Sequence, residues 1–373
     1  MTKRVHPMAA LIALVTMSAA GCATGKVEKK VEMVWPLPPD PPRIKFIRSV
    51  SSSDDVAGGG TTLDRLAEAL AGQEEKIRIK KPYGVAADSR GRLFVADTGW
   101  GKVLVFDFPN KRFEMWGQSG PGILSKPVGL ALDSKQNLYV SDVKQARVVC
   151  FRPDGTFLRA YGRKGELARP VGIAVDEKRS RLYVVDVKAS QLAVFALDST
   201  ALITKIGKRG RGPAEFNFPT NIAIDREGNI LVMDSMNFRL QVLTPTGEQL
   251  KQFGGNCDGP GCMPRSKGVA VDSYGHVYVV DAAFNLVQVF DESGRLLLAF
   301  GGVGRKPGLL WLPAGIFIDA RNRIYVADQY NYRVNIYQYL HVAEKTVPLK
   351  RVKEDSEDRG FPVPDRLKDG ERR

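Results

Sequence analysis

Apolar and polar positions alternate along most of this chain in short runs of four to seven residues, broken by Gly, Asp, Pro and Asn. That period and length predict β-strands; the runs are too short, and lack the 3.6-residue spacing, for helices. The stretch Pro313–Tyr337 reads as three strands with two turns, and six variants of it fill the chain. Each copy opens on an apolar strand ending in Asp: PYGVAAD (Pro82–Asp88), PVGLALD (Pro127–Asp133), PVGIAVD (Pro170–Asp176), PTNIAID (Pro219–Asp225), SKGVAVD (Ser266–Asp272) and PAGIFID (Pro313–Asp319). The closing Asp residues recur at spacings of 45, 43, 49, 47 and 47. A second strand ends at Asp97, Asp142, Asp186, Asp234, Asp281 and Asp328, and a third follows (VLVF, VVCF, LAVF, LQVL, VQVF, VNIY). A fourth shows as FLRAYG in the second copy and LLLAFG in the fifth. Four antiparallel strands in about 45 residues make one propeller blade, which buries its two faces only against neighbours.

The expected fold is therefore an all-β, six-bladed β-propeller of four-stranded antiparallel blades over 44–341, with the repeats at 82–341. The sixth copy has no turn leading to a fourth strand after Tyr337. The partly alternating run Ile44–Val50 is the expected replacement, closing the ring where the chain's two ends meet and removing an open edge. The alternative is that residues after Tyr339 turn back to complete the blade. Between the closing strand and the first repeat, 51–81 is read as a polar loop followed by one short helix, Thr62–Leu70, with Leu63, Leu66 and Leu70 on one face.

Outside the repeats, Lys3 and Arg4, an apolar run from Met8 to Ala20 and Gly21-Cys22 form a secretory signal, 1–21. Its apolar core is too short to span a bilayer. Small residues directly before Cys22 resemble a bacterial lipoprotein box, although Ala19 stands where Leu is commonest. The resemblance implies acyl chains on Cys22 and stable anchoring. Ala23 after the Cys implies, for a Gram-negative source, sorting to the outer membrane. Residues 22–43 read as a tether, charged at first and Pro-rich over Trp35–Arg43, expected to be extended. Residues 342–373 read as a charged, disordered tail.

The repeats resemble the NHL family of β-propellers. The resemblance rests on the P-x-G opening, the V-x-D end of the second strand, and the N-x-R start of the third, kept in Asn237-Phe238-Arg239 and Asn331-Tyr332-Arg333. Gln191 and Leu286 replace that Arg in the third and fifth copies, Asn221 replaces the Gly in the fourth, and Ser266 the Pro in the fifth. The family hosts unrelated functions, so the resemblance implies a shape and not an activity.

Charge adds a direction. The formal net charge is +14, and the excess leans to the rim that carries the second-to-third-strand turns and the blade-to-blade loops. Candidate binding residues there are Trp100, Lys102, Lys144, Arg147, Lys188, Lys208, Arg209, Arg211, Phe238, Arg239, Phe284, Arg305, Lys306, Tyr330, Tyr332 and Arg333. Cations mixed with aromatics suit an anionic partner; the competing reading is a solvated basic surface with aromatics packed between blades. Some NHL domains bind RNA, but an exported chain seldom meets it, so an envelope protein or an anionic glycan or lipid is the expected partner.

Catalytic chemistry is sparse. Three His residues offer no metal-ligand spacing, and there is no haem-attachment motif, nucleophile elbow or P-loop. The strand-end Asp residues are expected to cap their own turns. Cys257 and Cys262 bracket CDGPGC and are expected to form a local disulfide; Cys150, between Val149 and Phe151, is expected to be a buried thiol. The leading expectation is a membrane-tethered binding module that needs no cofactor. The alternatives are a propeller hydrolase or lyase with a metal in the central channel, and a scaffold in an envelope export or electron-transfer assembly.

Overall fold

The structure, a computed structural model, describes residues 32–56 and 76–341. The signal, Cys22, the first part of the tether, the helix expected at Thr62–Leu70 and the tail 342–373 lie outside the described residues. Six antiparallel sheets stand around one axis. Blade 1 runs Pro82–Ala87, Arg92–Asp97, Lys102–Asp107 and Arg112–Trp116 from the axis outwards. Blades 2 to 5 repeat that order, their inner strands being Pro127–Leu132, Pro170–Asp176, Pro219–Ile224 and Ser266–Val271.

In blade 6, Ile316–Ile318, Arg323–Asp328 and Arg333–Tyr339 come from the C-terminal end, and Ile44–Val50 supplies the fourth strand. The closing register runs from Ile44 opposite Tyr339 to Val50 opposite Val334. Both Ile44 and Val50 are fully buried, so the closure is a packed seam.

The Pro-rich run departs from expectation. It does not extend away from the domain. Val34–Trp35 pairs back on Ile44–Lys45, adding a fifth strand to blade 6, and the Arg43 amide donates to the Trp35 carbonyl at 2.7 Å. The reason is Trp35, whose ring packs 5.8 Å from Tyr337 and 6.0 Å from Phe300 in the core between blades 5 and 6. Packing a half-buried indole against these rings outweighs the extended preference of the prolines that follow it.

The glycine of the P-x-G opening has a steric cause. A Cβ on Gly84 would lie 2.1 Å from the Val128 carbonyl oxygen of the next blade, and one on Gly129 would lie 2.1 Å from that of Val171. The inner strands touch backbone to backbone around the axis. At the seam between blades 6 and 1, the Gly315 amide donates to the Tyr83 carbonyl at 2.9 Å. Large apolar side chains fill the wedges between blades, as in the buried cluster of Phe94, Trp116, Leu138 and Phe151.

Candidate functional site

Two features meet on the basic rim: the six Asp residues ending the second strands, and the loops that enter each blade. The Asp side chains are buried, 0–1% exposed. Asp97 accepts from the amides of Gly99 and Trp100 in its own turn, and from those of Lys80 and Lys81 in the entry loop at 2.7 and 3.0 Å. Asp142 does the same for Lys144, Gln145, Ser125 and Lys126. Asp186 and Asp281 hold Arg169 and Arg265 by their amides at 3.0 and 3.2 Å. Asp97, Asp142, Asp186 and Asp281 thus accept amides of their own turns, as expected, and also tie each turn to the loop entering the blade. Asp234 and Asp328 depart from that expectation: they accept the entry-loop amides of Asn217 and Trp311, but hold their own turns through the side chains of Asn237 and Asn331 and not through an own-turn amide.

Blades 4 and 6 add an arginine. Arg239 Nε lies 2.9 Å from Asp234 and its Nη2 donates to the carbonyls of Gly212 and Glu215. Arg333 Nε lies 2.8 Å from Asp328, and its remaining donors reach the carbonyls of Arg305, Lys306 and Leu309. Burial pushes the Asp328 carboxyl above its usual range, while Asn331, the Trp311 amide and Arg333 pull it back.

These contacts divide the sequence-predicted rim. Arg239 and Arg333 are structural bolts, and the expectation that they face a partner is corrected on that ground. Lys102 and Arg147 are also engaged, donating to the carbonyls of Leu124 at 2.8 Å and Ile123 at 2.9 Å. The Trp100 indole donates to the Arg78 carbonyl, and Lys80 Nζ sits 3.3 Å from its ring centre. Arg305 lies over Trp311, and Lys208 pairs with Glu215 at 3.4 Å. Lys144, Lys188, Arg209, Arg211 and Lys306 are exposed and extend no side chain to a carboxylate among the described residues. Tyr330 and Tyr332 are about half exposed, while Phe238 and Phe284 are partly buried.

One position escaped the sequence-based list. The residue directly before the repeat opening is Lys81, Lys126, Arg169 and Arg265 in blades 1, 2, 3 and 5, where it also precedes the inner strand, and Phe218 and Leu312 in blades 4 and 6. The signal is present in the sequence as one column of the repeat, which a net charge per loop averages away.

The axis itself is a channel of about 220 Å³ lined by the inner strands, with Tyr83, Ile173, Thr220, Asn221 and Phe317 among its walls. No lining residue is His, Cys, Asp or Glu, and among the described residues no cluster of such groups is placed to hold a metal. The channel therefore does not fit the metal-dependent hydrolase or lyase reading. Elsewhere, Cys257 and Cys262 are disulfide-bonded with Cα atoms 5.3 Å apart, and Cys150 is buried, its thiol pushed up to about 12 by burial.

A family model described as DUF5128, 6-bladed beta-propeller, matches residues 173–250. No match is found among curated proteins. Among solved structures, virginiamycin B lyase from Staphylococcus aureus is similar at a TM-score of 0.54 and 11% identity, covering 70% of this chain and 96% of that one. A gluconolactonase from Xanthomonas campestris gives 0.53 and 17% identity, covering 73% and 93%. An auxiliary nutrient binding protein from Bacteroides thetaiotaomicron gives 0.54 and 14%, covering 70% of each chain. These likenesses are of fold, and with the six sheets above they make this chain a six-bladed β-propeller.

Proposed function

We propose that this chain is a lipid-anchored, NHL-type binding module of the bacterial envelope, which holds an anionic partner against its basic, loop-rich rim. The observation that carries the reading is an asymmetry of exposure. On that rim the six strand-end carboxylates are sealed inside the turns, while Lys144, Lys188, Arg209 and Arg211 stand in solvent. A partner approaching the rim meets cations first, and the interaction is long-ranged and salt-sensitive. The lipid on Cys22 would place the rim at a membrane surface, within reach of anionic glycans, lipid headgroups or acidic proteins.

The test is in-cell crosslinking of the full chain and of a Lys188→Glu/Arg209→Glu/Arg211→Glu variant, followed by salt washes. The expected result is an anionic partner that is released by salt and absent from the variant. A partner held equally by both proteins and indifferent to salt sinks the reading. Replacing Cys22 with Ser is expected to move the protein out of the membrane fraction; a native protein already found soluble removes the anchor.

A further inference from the structure

The cations at the entry position share more than sequence register. Each stands directly before an inner strand, and the inner strands wall the channel. Each has its amide fixed by the buried Asp of its own blade, at 3.0 Å for Lys81, 3.2 Å for Lys126, 3.0 Å for Arg169 and 3.2 Å for Arg265. One carboxylate device thus sets four cations at equivalent points around one axis. Lys267, one residue inside the fifth inner strand, adds another positive group next to Arg265. Lys81, Lys126, Arg169 and Arg265 are exposed, and none of the five side chains forms an ion pair among the described residues.

Across this mouth lies Tyr83. It belongs to blade 1, yet packs against the cluster containing Val128 and Val171 of blades 2 and 3, so it spans part of the opening. Its hydroxyl has no hydrogen-bond partner among the described residues. Burial raises the Tyr83 phenol above its usual range and the nearby Arg169 guanidinium pulls it back.

We infer that the axial mouth is a binding site for a multivalent oxyanion, a phosphate- or carboxylate-bearing group seated on Tyr83 within the arc of Lys81, Lys126, Arg169, Arg265 and Lys267. The inference rests on the proposed function and narrows it from a rim to a point on the axis. The buried Asp residues beneath the arc do not compete for the ligand's contacts. Their oxygens are occupied by amides and closed to solvent, whereas the cations reach outwards. Mutual repulsion supports the convergence of the arc: Arg265 and Lys81 both act, after burial, to lower the Lys267 ammonium to about 8. An anion relieves that repulsion. Phe218 and Leu312 hold this position in blades 4 and 6, so an apolar residue stands on each side of the blade 5 cations, where the non-ionic part of a ligand can lie.

The probes are tripolyphosphate and a short oligogalacturonate, titrated calorimetrically into the full chain. Binding of the first alone assigns phosphate chemistry, and binding of the second alone a carboxylated glycan; either supports the site. The Lys81→Gln/Lys126→Gln/Arg169→Gln variant is expected to bind at least about tenfold more weakly, from three lost charge contacts. A Lys111→Gln/Lys135→Gln/Lys178→Gln variant on the opposite rim has the same net charge and is expected to bind like the native chain; circular dichroism checks that both fold. If the opposite-rim variant loses as much, the effect is net charge and the site is overturned. If the axial variant binds normally while Arg209→Gln/Arg211→Gln does not, the axial site falls and the rim reading stands. If the native chain binds neither probe, the axial site falls, and the rim reading is decided by the crosslinking test.

Discussion

Arg333 and Lys188 stand on the same rim and read alike in the sequence, yet they do opposite jobs. Arg333 is buried against Asp328 and three carbonyls, so replacing it with Met strands a buried carboxylate. The expected cost is about 3–5 kcal/mol, seen as a lower urea midpoint. Arg333→Lys is not expected to rescue it, because an ammonium lacks the planar fork that reaches several acceptors. Lys188→Met, in solvent, is expected to change stability by no more than about 0.5 kcal/mol. His276 gives a pH-dependent case. Its ring nitrogen lies 2.8 Å from Asp272, and this hydrogen bond raises the imidazole above its ordinary value. A raised base means that the folded state holds its proton more tightly. The stabilisation is therefore full below about pH 6.5, the unfolded value, and is lost as pH rises through the folded value. An NMR titration of His276 in the native chain reads this directly; a value at or below the ordinary one overturns it.

At the scale of strands, legibility depended on whether a signal repeats. The inner, second and third strands were readable because six copies carry the same alternation, and the fourth-strand role of Ile44–Val50 followed from a gap that the copies left. The hairpin at Val34–Trp35 was not readable. It occurs once, and its cause is a contact between Trp35 and Tyr337, residues at opposite ends of the chain. The split between free and engaged cations was hidden for a similar reason. Whether an arginine faces solvent depends on carbonyls 24 to 28 residues upstream in the entry loop. The seam itself is testable. Ile44 is fully buried between blades, so Ile44→Ala is expected to cost about 2–5 kcal/mol. Removing residues 32–50 exposes the edge of Arg333–Tyr339 and is expected to abolish cooperative unfolding, followed by circular dichroism. Retention of a sharp native-like transition in the truncated chain would show that the ring does not need its N-terminal strand.

For the whole molecule, the radial arrangement converts a column of the repeat into an arc of charge, and Lys267 makes that arc measurable. Burial first, then Arg265 and Lys81, hold its ammonium near about 8, while Asp281 acts in the other direction. Between about 8 and the ordinary lysine value of about 10.4, the unfolded chain binds more protons than the folded one, so this group makes the fold more stable as pH rises through that window. An anion at the mouth favours the protonated form and must raise the folded value. Binding is then expected to take up protons in the same window and to weaken as pH climbs through it. Calorimetry with tripolyphosphate in two buffers of different ionisation heat gives the number of protons taken up. Lys267→Met is expected to abolish most of that uptake while still binding through Lys81, Lys126 and Arg169. Proton uptake that survives Lys267→Met unchanged would place the ligand away from Lys267 and overturn its part in the site.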